Sequence, residues 1–319
     1  MRLSQPVRAS AAEWRAANEQ MFAFLRGITV EFFGQTAGRR AANFTASGVV
    51  VRVTASGVDI VTAKHNLTMA AGDAPDPVAH FRARVRARLY DVNANLVDSP
   101  IASVHLLPHA DVADGGYDAV VVRVTDPAFR RRVEGLVAAA GPGHAFRSAA
   151  YATEGWIIRP TSELQARSVL TNGHPYNGME MADFAEFELV QMGYGKHQGD
   201  LFGFEHRVLP VTGLAGTLFV DQTHEGWEQV FTFTTDDTNT GASGDSGGPV
   251  FAVSPAVAGP LQSAAVPGQP PIPLRRSIAL VGLHSGANYF ADADDDPGED
   301  GATLNNAITW VSERLALPA

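Results

Sequence analysis

The stretch Gly241-Ala-Ser-Gly-Asp-Ser-Gly-Gly-Pro-Val-Phe251 crowds four glycines and a proline around Ser246 and then runs into apolar residues. Glycine and proline at that density fit neither a helix nor an ordinary strand. A serine hydroxyl is a poor nucleophile until a base removes its proton, and the oxyanion that follows needs hydrogen-bond donors. Glycines around Ser246 suit both needs, because they let the backbone expose the hydroxyl and turn amide hydrogens toward one spot. A Gly-rich hairpin with an incidental serine is the plainer alternative. Eight specified residues, Gly244 to Phe251, weigh against it.

Gly244-Asp-Ser246-Gly-Gly248 also satisfies the GxSxG pattern of the α/β-hydrolase nucleophile elbow. That fold places its acid and then its histidine after the serine. Here His284 is the only histidine after Ser246, and residues 247–283 contain no aspartate or glutamate. Gly-Gly-Pro also follows the serine where an elbow would start a helix, so the elbow reading fails. What remains is the chain order His, Asp, Ser.

Working outward, Ser10-Ala-Ala-Glu13 has the spacing of a capping box. Trp14, Ala17, Met21 and Phe24 or Leu25 then follow at helical intervals, predicting an amphipathic helix that ends near Gly27. After it come β-branched runs broken by Ser-Gly: ITVEFF, then ASGVVVRVTASGVDIVTAKH ending at His65. RARVRARLYDV, Tyr117–Val124, Ala150–Ile158, Glu228–Thr235 and Ser277–Ser285 read as further strands, and Pro127–Val137 as a short helix. Short strands with regular turn signals predict a sandwich or barrel. Ala138–Phe146 marks a boundary, residues 253–276 read as a long surface loop, and the tail ATLNNAITWVSERLAL has helical periodicity.

With 319 residues the chain can bury one large core or two smaller ones. A net charge of -10 argues against nucleic-acid backbones and anionic membranes as partners. No apolar run is long enough to span a bilayer. The chain has no cysteine, which excludes disulfides, thiolate metal sites and a cysteine nucleophile. The start MRLSQPVRASAAEWRAANEQ lacks the apolar core of a signal peptide, so a cytoplasmic location is expected. No metal is expected either. No HExxH-like spacing occurs among the histidines, and Asp292–Asp296 departs from a calcium loop in its glycine and at Thr303.

Three segments together resemble the chymotrypsin-like serine proteases: VDIVTAKH ending at His65, YDAVVVRV containing Asp118, and GDSGGPVF containing Ser246. The departure is Lys64, where the family carries a small residue before its histidine; it puts little in doubt, since its side chain can point outward. The resemblance implies an all-β fold of two packed antiparallel six-stranded β-barrels, with an N-terminal and a C-terminal helix. The corresponding segments are a helical extension (1–26), a first barrel (27–140) carrying His65 and Asp118, a second barrel (141–301) carrying Ser246, and a closing helix (302–319). It also implies the roles. His65 is general base and then acid, Asp118 holds its tautomer, Ser246 attacks, and the amides of Gly244 and Ser246 form the oxyanion hole. The activity implied is cofactor-free endopeptidase cleavage of protein or peptide substrates.

Specificity follows from the same resemblance. The family's pocket-base position, six residues before the serine, is Thr240, which disfavours cleavage after Lys or Arg. Gly282–Ala287 resembles the pocket wall of streptogrisins, and glutamyl endopeptidases carry a histidine and a serine where this chain has His284 and Ser243. Both donate hydrogen bonds to an anion, so a preference for glutamate before the scissile bond is expected. Asp245 beside the serine calls for a cation, an arginine by analogy with bacterial members. An active protease in the cytoplasm implies restraint by a partner, the N-terminal helix or the loop at 253–276. The non-enzyme alternative is a silenced protease homologue acting as a protein-binding module.

Overall fold

The β-branched runs after Gly27 form strands β1 (Thr29–Gln35), β2 (Asn43–Thr54) and β3 (Gly57–Thr62), paired in antiparallel succession. The computed structural model describes residues 15, 19–38, 41–90, 93, 95–107, 116–140, 155–158, 188–196, 204–209, 223–224, 227–228, 230–235, 243–253, 278–290 and 303–310. Within them the protein is mostly strands, with four helices. Helix α1 (Glu19–Ile28) feeds β1 directly. Its Met21, Phe24 and Leu25 are buried, as the helical spacing predicts, and so are Phe22 and Ile28. The helix therefore runs past residue 26 and belongs to the same core as the strands that follow.

Every residue of strand β3 is buried, and its two edges are hydrogen-bonded to β2 and to β8 (Val120–Val124). Its Asp59 is fully buried yet accepts from Arg52 Nε at 2.8 Å and Arg123 Nε at 2.7 Å, so the carboxylate is compensated. Strands β4 (Val85–Tyr90), β5 (Leu96–Pro100) and β6 (Ser103–Leu106) complete a seven-stranded antiparallel sheet, curled as a half-barrel. Its order is β5-β4-β1-β2-β3-β8-β6, one strand more than expected.

Two further helices connect this sheet. Helix α2 (His65–Ala71) starts where β3 ends, and α3 (Pro77–Arg84) opens with Asp76 accepting from the Ala79 amide at 2.9 Å. The run RARVRARLYDV, predicted as one strand, is therefore split. Arg82-Ala83-Arg84 close α3, whose Asp76 cap and Pro77 outweigh the alternation, and β4 begins at Val85. Helix α4 (Pro127–Ala140) contains the predicted Pro127–Val137 helix and is capped by Asp126, whose Oδ1 accepts from the amides of Ala128 and Phe129.

The second sheet holds β9 (Glu188–Gly193), β10 (Glu205–Leu209), β13 (Val230–Thr235), β14 (Pro249–Val253), β15 (Ile278–Phe290) and β16 (Thr303–Trp310). All six are antiparallel, in the order β10-β9-β14-β15-β16-β13. A small sheet joins the two regions. β7 (Gly116–Tyr117), just before Asp118, lies parallel to β12 (Trp227–Glu228), which pairs with β11 (Thr223–His224).

Two expectations are corrected here. The predicted C-terminal helix is a strand over residues 303–310; β16 bonds to β15 on one side and β13 on the other, and Asn305-Asn306 are poor helix formers. Gly155–Ile158, the described end of the predicted strand Ala150–Ile158, makes only an isolated bridge from Trp156 to Arg52. Residues 1–14 with the capping box, 141–154, 254–277, 291–302 and 311–319 lie outside the described residues.

Candidate active site

His65 stands at the first position of α2, where β3 hands the chain to the helix. Asp118 lies between β7 and β8 with its side chain fully buried, and both its oxygens go to His65. The His65 backbone N–H donates to Oδ1 at 2.9 Å, and Nδ1 lies 2.8 Å from Oδ2. A carboxylate only accepts, so Nδ1 carries the proton and Nε2 is left as the ring's acceptor. The imidazole is thereby fixed in both tautomer and orientation, and its side chain keeps 13% exposure.

Ser246 arrives from the other sheet. Its carbonyl accepts from Asn66 Nδ2 at 3.0 Å and from the Ser47 amide at 2.8 Å. Asn66 follows His65 directly and also donates to Thr62 Oγ1 at 2.9 Å, so the start of α2 is tied to the serine's own peptide group. Ser246 is partly exposed, while Gly244, Asp245, Gly247 and Gly248 around it are buried.

The glycines have separate reasons. Gly244 and Gly247 adopt φ values of 103° and 80°, which L side chains resist. A Cβ on Gly247 would also run into Thr62 Oγ1 and the Ser47 carbonyl, and one on Gly248 into the Met192 carbonyl. The loop is thus pressed against β2, β3 and β9.

Hydrogen bonds orient the amides of Gly244 and Ser246. The Lys196 amide donates to the Ser243 carbonyl at 2.9 Å, and the Gly248 amide to the Asp245 carbonyl at 2.7 Å. All peptide bonds here are trans, so the Gly244 and Ser246 N–H groups point away from those held carbonyls. The Asp245 carboxylate is fully buried against Gly193 and Gly195, where a Cβ would come within 2.5 and 2.6 Å of it. His284, 2% exposed, is brought to the loop by its backbone: the Gly247 amide donates to its carbonyl at 2.7 Å, and its own amide to the Gly248 carbonyl at 2.8 Å.

The structure therefore gathers His65, Asp118, Gly244, Ser246 and His284 around one loop, with Ser243 exposed at its edge. Thr240 lies outside the described residues. Lys64 is corrected. Its side chain is fully buried instead of pointing outward. Sequence reasoning passed over Ser47, Thr62, Asn66 and the Gly193-Tyr194-Gly195 segment that ends β9. The signals present were Ser47-Gly48 inside a β-branched run and the paired glycines flanking Tyr194, both marks of close backbone approach. Among the described residues no group of three or more His, Asp or Glu could hold a metal ion, and no helix is long and apolar enough to cross a membrane. No family model matches the chain, and no curated protein matches it.

Proposed function

We propose that the protein is a serine endopeptidase, built as two packed antiparallel β-barrels in the chymotrypsin-like arrangement with the site between them. The observation that carries this reading is the pair of bonds from the buried Asp118 carboxylate to the His65 ring and amide, with the adjacent Asn66 tied to the Ser246 carbonyl. His65 Nε2 takes the Ser246 hydroxyl proton as Oγ bonds to the substrate carbonyl carbon. The amides of Gly244 and Ser246 receive the oxyanion. On collapse, His65 returns the proton to the leaving amine and the C–N bond breaks, leaving an acyl-enzyme. Water, deprotonated by the same ring, then releases the acid and restores Ser246. No cofactor enters these steps.

Ser243 at the loop edge and His284 beside it support glutamate as the residue before the scissile bond, since both can donate to a carboxylate. Their test is cleavage of a peptide series bearing Glu, Arg, Leu or Ala at that position. Glu is expected to be fastest, and faster cleavage after Arg would end the idea. The reaction itself is tested by fluorophosphonate labelling of the intact chain. The wild type is expected to be labelled on Ser246, and Ser246→Ala and His65→Ala to lose labelling while remaining folded. An unlabelled wild type would leave the protein-binding homologue as the better reading.

A further inference from the structure

We propose that Ser47, on β2 of the first sheet, is a positioning residue that holds the nucleophile loop in its reactive conformation. The inference rests on reading Ser246 as the nucleophile and adds a residue from outside that loop. Ser47 is fully buried and uses every polar atom it has. Its hydroxyl donates to the Gly244 carbonyl at 2.8 Å and accepts from the Tyr194 amide at 2.8 Å. Its amide donates to the Ser246 carbonyl at 2.8 Å, and its carbonyl accepts from Thr62 Oγ1 at 2.6 Å.

Four consecutive carbonyls of the loop are held, and Ser47 holds two of them. Lys196 takes Ser243 and Gly248 takes Asp245, which orients the Gly244 and Ser246 amides. Ser47 takes the carbonyls of Gly244 and Ser246, the peptide groups that alternate with those. Gly244, at φ 103°, has no side chain to resist rotation of the peptide that follows it, so the Ser47 hydroxyl is what stops it. The same hydroxyl fixes the Tyr194 amide, between the two glycines that enclose the Asp245 carboxylate. Through its hydroxyl and its backbone together, Ser47 thus joins β3, which leads into His65, to the Ser246 loop and the Asp245 enclosure.

Removing the hydroxyl leaves two buried backbone groups without their partner while keeping the Ser47 amide bond to Ser246. The test is Ser47→Ala in the full chain, with three readouts: the rate of fluorophosphonate labelling, kcat and KM on a cleaved peptide, and amide hydrogen exchange. Labelling and kcat are expected to fall roughly tenfold to a hundredfold, as for small misplacements of reacting groups. KM should stay within about twofold, because no substrate contact is removed. Exchange at Tyr194 should accelerate selectively, against unchanged protection in β3 and β8. Labelling of a folded Ser47→Ala protein at the wild-type rate would overturn the proposal, and so would a slowdown matched by loss of protection throughout the core. A wild type that resists labelling while Ser47→Ala still frees Tyr194 would overturn it differently. The nucleophile reading would be at fault, and Ser47 a purely structural joint. If Ser47→Ala does not fold, Ser47→Cys keeps a donor and acceptor at the same position, weaker and slightly bulkier than the hydroxyl, and labelling slower than wild type is the result expected of it.

Discussion

Tyr194 links its backbone role at the loop to a buried phenol. Its ring packs against Tyr90 and Phe204, with centroids 5.7 and 5.4 Å apart, and its hydroxyl donates to the Thr29 carbonyl at 3.4 Å. Burial, reinforced by the charges of Glu31 and Tyr90, pushes this phenol far above the ordinary tyrosine range. In the unfolded chain the same phenol ionises near pH 10. Its contribution is therefore complete below that pH and lost as pH rises above it, since only the unfolded state releases the proton. Tyr194→Phe is expected to flatten the alkaline fall in stability, leaving the slope from Tyr90, whose phenol burial also raises. Urea unfolding midpoints between pH 8 and about 11 measure this; an unchanged slope would remove Tyr194 as its source. Residues of this kind were only faintly legible in the sequence. Ser246 announces itself through its own neighbours, whereas Ser47-Gly48 and the glycines flanking Tyr194 signal close backbone approach without naming the partner, since Ser47 bonds to groups 147 and 197 positions away.

At the scale of elements, pattern reading succeeded where one force dominates and failed where two compete. β3 reads as a strand because β-branched residues and burial agree. RARVRARLYDV alternates well enough for a strand, yet a side-chain cap and a proline at residues 76–77 commit its first part to α3. β16 has helical spacing but gains backbone pairing on both edges. Within β3, Asp59 is the exception to an apolar run, tolerated because Arg52 and Arg123 reach it from the two neighbouring strands. Removing one partner of a buried ion pair costs about 3–5 kcal/mol. Asp59→Ala, which strands two arginines, is expected to lower stability by about 3 kcal/mol or more, read from urea unfolding. A change under about 1 kcal/mol would show that the guanidinium groups recover their loss in solvent.

For the whole molecule, helix α1 decides how the N-terminal region behaves. Met21, Phe22, Phe24 and Leu25 lie in the core shared with β1, and a Cβ on Gly27 would come within 2.7 Å of Leu136 on α4. Each such side chain contributes about 1.5–3 kcal/mol on burial. Together they are comparable to the whole stability of a typical domain, about 5–15 kcal/mol. Deleting residues 1–26 is therefore expected to unfold or strongly destabilise the protein, seen as loss of the cooperative thermal transition, instead of releasing activity from a detachable cover. A truncated chain with an unchanged melting temperature would contradict this. The sequence by itself determined the strand-rich class, the helix before β1, and the serine, histidine and aspartate worth testing, because glycine geometry, side-chain period and chain order are local or ordinal properties. Only the tertiary structure decided that both Asp118 oxygens meet His65, that Lys64 is buried, that residues 303–310 are a strand, and that Ser47 clamps the loop. Each of these depends on which groups distant along the chain are packed together, and contacts at hydrogen-bonding range are set by that packing, not by neighbours in sequence.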